Sequence, residues 1–455
     1  MRIFHRYFPA RIGLFTAIIV SLLLTLLLGY HLLEKTGGAF SLPRDEAFLQ
    51  LSTAKTLAFH RIWGIAQYDF AAASPSLLYP AVLSVVFFIS GIHLIVIPLV
   101  NIVIAIMLLL YIQQWLAKRA IRSVTQLFIL LAFVALTPLP VMVIYGMERT
   151  LLLLLSFLFI SRLSDEWTMS EFSRRTLIYG ALMVATQYDS IILVAAISLL
   201  LIYRRRWMVA YELALWSLLP ILVFGFIALA KGGYFVPNVF LLEPVGSQFT
   251  YDWLIGCGIA VAAPLLQPLI NKPYTRTAGW TAMTVMLSLA FILLARNLYA
   301  YRDTDRASIR ISRQEYPVAR FLRRCYNTST FASDDVGVMS YFVEGRFLDL
   351  SGRASNKIAR SKSDHFYTPA VAGQLIAEDG ILFTIVSDRY THVIPEELVR
   401  TASWKMPASD LSPEKTFTFY TRDTMIARDL TRKLKDFAPF LSPDVRVQYY
   451  YQPPG

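Results

Sequence analysis

Arg44, Asp45 and Glu46 stand together just after an apolar run long enough to cross a membrane. Adjacent carboxylates can take up a proton or hold a cation, and like charges kept close raise the pKa of one of them. Three further stretches carry comparable groups: 146-GMER-149, 187-QYD-189 and 231-KGGYFVPN-238. A divalent metal between Asp45, Glu46 and Glu148 is an option these residues leave open, and no spacing demands it. Plain structural roles compete with each functional one. Acids favour the first turn of a helix, and cations snorkel at a membrane surface. Tyr234 and Asn238 sit in a Gly-Pro loop, where forming a turn is reason enough for them.

Hydrophobic elements must position these groups. The 455-residue chain is 56% apolar and only 16% charged, well below the charge of a soluble domain. The deficit is uneven. Residues 12–297 carry long apolar runs, and residues 298–455 read as an ordinary soluble chain. The expected fold is therefore mainly α. A polytopic transmembrane bundle of roughly nine to eleven hydrophobic elements (1–297) precedes a soluble α/β domain (298–455). The first run, 13–33, lacks the small-residue cleavage site of a signal peptide and reads as a retained span. Two cysteines, Cys257 and Cys325, cannot support a disulfide framework, and no metal-type Cys/His spacing occurs. The net charge of +12 matches the basic bias of cytoplasmic loops. The aromatic–basic interleaving of a nucleic-acid site is absent.

Loop charges set a topology. Arg2, Arg6 and Arg11 place the N-terminus in the cytoplasm, so residues 34–75 lie outside, with an amphipathic helix over 45–60. Arg174-Arg175 and Arg204-Arg205-Arg206 are both cytoplasmic, with 28 residues between them. That piece must be two half-helices meeting near 186–190, with Asp189 in a cavity. Runs 208–230, 253–270 and 278–297 then cross in turn and leave the C-terminal domain outside. Runs 76–91 and 92–116 conflict with the basic cluster Lys118, Arg119 and Arg122 unless one of them is re-entrant. In this scheme 44–46, 146–149, 187–189 and 231–238 share the outer face. Ionisable residues there are costly and often functional. In the C-terminal domain, strands are expected over 329–334, 346–350, 381–388, 416–422 and 445–452, and helices over 314–325 and around 395–400. Gly337 in 335-DVG-337 reads as a site of close backbone approach.

These motifs, in order along nearly the whole chain, resemble the GT-C integral-membrane glycosyltransferases, in the branch of the terminal arabinofuranosyltransferases. The acidic pair falls on Asp45-Glu46 and the Ser-Pro motif on 73-ASPSL-77. The Gly-x-Glu falls on Gly146-Met147-Glu148, and the Arg-Pro-Glu position holds Gln187-Tyr188-Asp189. The Gly-Tyr-x-x-Pro-Asn is 233–238, and the C-terminal signatures are 335-DVGVMSY-341 and 349-DLSG-352. The Ser-Pro motif lacks its threonine, and the Arg-Pro-Glu lacks its arginine and proline. The resemblance implies inverting transfer of a sugar from a polyprenyl-phosphate donor to a glycan or glycolipid acceptor. The place would be the outer face of a bacterial cytoplasmic (inner) membrane. Asp45 would be the general base, with Glu46 its second or its orienting partner. Arg44, Arg149 and Lys231 would hold the donor phosphate. Ser74, Ser76, Glu148, Asp189, Tyr234 and Asn238 would contact sugar or acceptor. A flippase for lipid-linked sugars and an inactive glycan-binding subunit remain alternative readings.

Overall fold

The computed structural model describes residues 2–119, 121–242, 276–408 and 413–451. Its first half is helical: α1 (Arg2–Lys35), α2 (Asp45–His60), α3 (Leu78–Ser90), α4 (Val96–Lys118), α5 (Ser123–Leu136), α6 (Leu139–Tyr145), α7 (Arg149–Glu166), α8 (Arg174–Thr186), α9 (Ile191–Tyr203), α10 (Trp207–Ala230) and α11 (Asn238–Leu242). Among the described residues three helices are long and apolar enough to cross a membrane: Ile12–Lys35 of α1, α4 and α10. The pair α5 and α6 makes a fourth if it counts as one span, bent by 50°. Pro138 and Pro140 sit at that bend, where a missing N–H interrupts the helical ladder. On α10, Met208, Tyr211, Leu215, Leu219, Val223 and Phe226 face outward. Helical spacing gathers them into one apolar stripe, an arrangement suited to lipid.

Helix lengths bear on the topology. The 13-residue α3 is too short for a crossing at a 1.5 Å rise per residue, and the 23-residue α4 is long enough. That is the pattern one re-entrant run and one crossing would give. In the loop that follows, Arg119 pairs with Asp165 at 2.9 Å and stacks 3.7 Å from the Trp115 ring. Its charge is met by a carboxylate of the same chain, at the exposed surface. Helices α8 and α9, 13 residues each, join where Gln187 turns extended (φ −151°, ψ 122°) and Tyr188–Ser190 forms a 3-10 turn. These are the two half-helices that the basic loops require. The expected run 253–270 lies outside the described residues. Position 297 falls inside α12 (Arg276–Arg310), which continues into a π-helical turn at Ile311–Glu315.

After α13 (Tyr316–Cys325) comes a six-stranded mixed sheet in the order β2-β1-β3-β5-β4-β6. Its strands are β1 (Phe331–Ser333), β2 (Phe347–Asp349), β3 (Phe383–Ser387), β4 (Val399–Met406), β5 (Lys415–Thr421) and β6 (Arg446–Tyr449). β1 is parallel to both β2 and β3, and the remaining pairs are antiparallel. Side chains alternate across the sheet. Phe331, Phe383, Ile385, Trp404, Phe417 and Phe419 face one core, with Phe321 of α13 and Leu430, Leu434 and Phe437 of α17 (Thr424–Phe437). Ala332, Leu348 and Val386 face the other, against Ile358 of α15 (Asn356–Ser363) and Ile376 of α16 (Pro369–Glu378). The helix expected around 395–400 is instead a turn leading into β4. Thr401 to Trp404 are all buried, and Trp404 is fully so. That burial overrides the weak local helical preference of Glu396 and Glu397.

Helix α2 departs furthest from expectation. It is not an amphipathic surface helix, because every residue from Ala47 to Thr56 is buried. Phe48 and Leu51 pack with Leu28, Leu32 and Tyr79 of the apolar helices, and Leu49 belongs to the core of the sheet. The helix runs parallel to α14 (Gly337–Phe342) and in contact with it. At one end the Val338 N–H donates to Asp45 Oδ1 at 3.2 Å. At the other, Lys55 Nζ donates to the carbonyls of Ser340 (3.2 Å), Tyr341 (2.8 Å) and Val343 (3.4 Å). An acidic side chain thus meets the N-terminus of α14 and a basic one its C-terminus, the favourable sense for a helix dipole.

Burial pulls the Lys55 ammonium down to about 8 from its ordinary 10.5. Between those pH values the unfolded chain holds the proton and the folded chain does not, so stability rises with pH across that window. Lys55→Met is expected to abolish this rise. It also strips three carbonyls of a donor, at a cost of about 1–3 kcal/mol near pH 7. Thermal unfolding of the detergent-solubilised protein at pH 7.5 and pH 10 checks both effects.

Candidate functional site

Most of the residues singled out from the sequence gather in two groups. The first surrounds Tyr145 at the end of α6. Arg44 lies 5.1 Å and Arg149 5.9 Å from the Tyr145 ring centre. Arg44 also forms an ion pair with Asp303 of α12, and the Tyr145 hydroxyl donates to the same carboxylate at 3.4 Å. Glu148 is buried, and the Gln50 amide of α2 donates to its Oε2 at 2.6 Å. Arg149 and Glu46 both lie within electrostatic reach of Glu148. The link between α6 and α7 is tight. Gly146 adopts φ +71°, and a Cβ there would come within 2.9 Å of Leu42. Glycine is thus required where Glu148 is presented.

The second group surrounds the junction of α8 and α9. Ser74 Oγ donates to the Ser76 carbonyl and accepts from the Ser76 N–H, and Ser76 Oγ accepts from the Tyr79 N–H at the start of α3. Both hydroxyls are buried in this local turn. The Leu77 N–H donates to the Ala185 carbonyl, four residues before Asp189. Asp189 accepts from the Gln187 amide at 3.2 Å. Asn238 ties the loop to the sheet domain through the Gly352 carbonyl (3.4 Å) and Asn356 Oδ1 (3.0 Å). Tyr234 is half-buried in the same loop. The two groups connect through Tyr79, whose hydroxyl donates to Asn101 at 3.2 Å. The Asn101 amide reaches the Met147 carbonyl next to Glu148 at 3.5 Å. Lys231 stands exposed at the C-terminal cap of α10.

Asp45 and Glu46 point to different neighbourhoods. Asp45 faces the sheet domain, with Glu315 from the π-helical turn and Asp335 from the end of β1. The three offer carboxylate oxygens within 4.8 Å of one another and could hold a metal ion. The expected partners Glu46 and Glu148 are not part of this cluster, because Asp45 lies against α14 and β1 instead. Gly337 makes that approach possible, since a Cβ there would collide with both the side chain and the backbone carbonyl of Asp45. Burial first, then Asp335, Glu315 and Glu46, push the Asp45 carboxyl well up. Burial and Asp335 raise Glu315 to about 7. Lys415, the first residue of β5, pairs with Asp335 and lies 3.5 Å from Glu315. Burial alone would lower its pKa, but these two carboxylates outweigh that and hold it up.

Glu315, Lys415, Asp303 and Gln50 gave no signal in the sequence. Each is an ordinary polar residue, and its meaning comes only from a partner elsewhere in the chain: Gln50 is 98 residues from Glu148, and Lys415 is 80 from Asp335. The Gln50–Glu148 contact is open to direct test. Gln50→Leu leaves a buried carboxyl without its donor and is expected to lower stability by about 1–3 kcal/mol. Adding Glu148→Leu should recover a large part of that loss, a coupling that a double-mutant cycle of unfolding free energies measures.

A family model for a domain of unknown function (DUF8728) matches residues 307–427. No curated protein and no solved structure matches the chain. The matched segment contains Glu315, Asp335, Gly337 and Lys415, which form the sheet-side half of the contact with α2 in this chain.

Proposed function

We propose that this protein is a membrane-embedded glycosyltransferase. It moves a sugar from a polyprenyl-phosphate donor to a hydroxyl of a glycan or glycolipid acceptor. It works in the bacterial cytoplasmic membrane, with the sheet domain on the outer side. The observation that carries this reading is the gathering of Arg44, Glu46, Glu148 and Arg149 around Tyr145, where the apolar helices meet the sheet domain. A lipid-linked phosphate is held at such a level by its tail. The two guanidiniums suit its charge, being planar and able to make paired contacts with phosphate oxygens.

The step needs few parts. The acceptor oxygen attacks the anomeric carbon as the bond from that carbon to the phosphate oxygen breaks. The bonding pair leaves with the polyprenyl phosphate, and the acceptor proton passes to a carboxylate. A single displacement inverts the anomeric centre. Arg44 and Arg149 stabilise the leaving phosphate. Of the acidic pair, Glu46 is assigned as the base, because Asp45 accepts from Val338 and faces Glu315 and Asp335. Asp45 then fixes the start of α2 and so aims its neighbour. This reverses the order suggested by the sequence.

The test is transfer by the purified protein in detergent, with a radiolabelled polyprenyl-phosphate sugar and a panel of hydroxyl acceptors. Wild type should transfer, and Glu46→Gln should slow it by about 10²–10⁴-fold. Asp45→Asn should retain more activity than Glu46→Gln. Unimpaired transfer by Glu46→Gln would refute the assignment of the base. Movement of the lipid across vesicles with no transfer would refute the enzyme reading.

A further inference from the structure

We infer that Asp45, Glu315 and Asp335 form a divalent-cation site that locks α2 to the sheet domain. Three separate parts of the chain supply the oxygens: the first turn of α2, the π-helical turn before α13, and the loop leaving β1. All the ligand atoms lie within 4.8 Å of one another. The donors are carboxylates alone, with no histidine or cysteine among them, a set that suits Mg²⁺, Mn²⁺ or Ca²⁺.

A second observation points to a bound cation. Glu315 is 3% exposed, and its Oε2 is buried with no hydrogen-bond partner among the described residues. The other oxygen, Oε1, faces Lys415 at 3.5 Å and Arg310 at 3.7 Å. Lys415 is already shared with Asp335. One ammonium thus serves two of the three carboxylates, with the Arg310 guanidinium at the edge and Arg353 within electrostatic reach of Asp45. A buried anionic oxygen left without a partner is unfavourable, and a divalent ion would satisfy it. The location also fits. The chain leaves β1 for β2 on one side and later returns to β3 on the other, the kind of switch point at whose carboxyl ends ligands bind in open sheets. Lys415 is then an internal competitor, holding part of the charge when the ion is absent. The site does not depend on whether the chain transfers sugar.

The experiment uses the full-length protein in detergent, stripped with chelator and titrated with Mn²⁺, Mg²⁺ or Ca²⁺ alone. Binding is followed by calorimetry, and by thermal unfolding with each ion. Wild type should take up one ion saturably and unfold at a higher temperature. Glu315→Gln and Asp335→Asn should each weaken binding by about tenfold or more, by loss of a ligand. Lys415→Met removes the competing ammonium and should tighten binding by about tenfold, the equivalent of about 1.4 kcal/mol. This variant guards the test against a ligand variant that fails to fold. No saturable binding by wild type would overturn the inference and leave a shared proton as the occupant. Equal binding by wild type, Asp335→Asn and Lys415→Met would overturn it as well.

Discussion

The arrangement rests on the burial of a polar helix. α2 carries Gln50, Ser52, Thr53, Lys55 and Thr56 into an interior bounded by apolar helices on one side and a sheet domain on the other. Buried polar groups are tolerated only when partnered, so the helix has one acceptable seat. Gln50 meets Glu148 on the side of the apolar helices, and Ser52 and Lys55 meet α14 on the sheet side. Thr53 and Thr56 turn back to carbonyls of their own helix, and Thr56 also reaches Gly64. Apolar contacts hold the two cores to the helix, and the polar contacts set its rotation and its height.

That constraint decides where the charged groups lie. With α2 held along its length, its first turn is fixed in direction. Asp45 turns to the sheet edge and Glu46 stays within reach of Arg44 and Glu148. The same seat brings an acidic side chain to the N-terminus of α14 and gathers it with Glu315 and Asp335, the two carboxylates that Lys415 meets. Such a concentration of like charge in a partly dehydrated place lowers stability unless something compensates it. Sites of that kind are common where proteins bind ligands. The chemistry proposed at Tyr145 and the cation inferred at Glu315 are two consequences of one packing decision.

Much of the helical half was legible in the chain. Apolar length and loop charge located α1, α4, α8, α9 and α10, and the break at 187–190 followed from the two basic loops alone. The positions of Arg44, Glu46, Glu148 and Arg149 were legible as places where apolar runs begin or end. The close approach at Gly337 was visible as a glycine beside Asp335, but the group approaching it lies 292 positions earlier. Local pattern does not report contacts of that separation. Nor does it report α2's burial: its mixed composition reads as a surface helix until both neighbours are in place. The turn before β4 was misread for a related reason, since the burial of Trp404 against the sheet outweighs the preference of two glutamates.

Hydrogen exchange on a Gly337→Ala variant tests the seam most directly. If α2 is clamped as described, a methyl group at 337 forces the start of α2 away from α14. Protection should then fall together in residues 45–56, in 337–343 and in the Glu148 region, while β3 and β5 keep theirs. Loss confined to the loop 334–338, with α2 unchanged, would contradict the account.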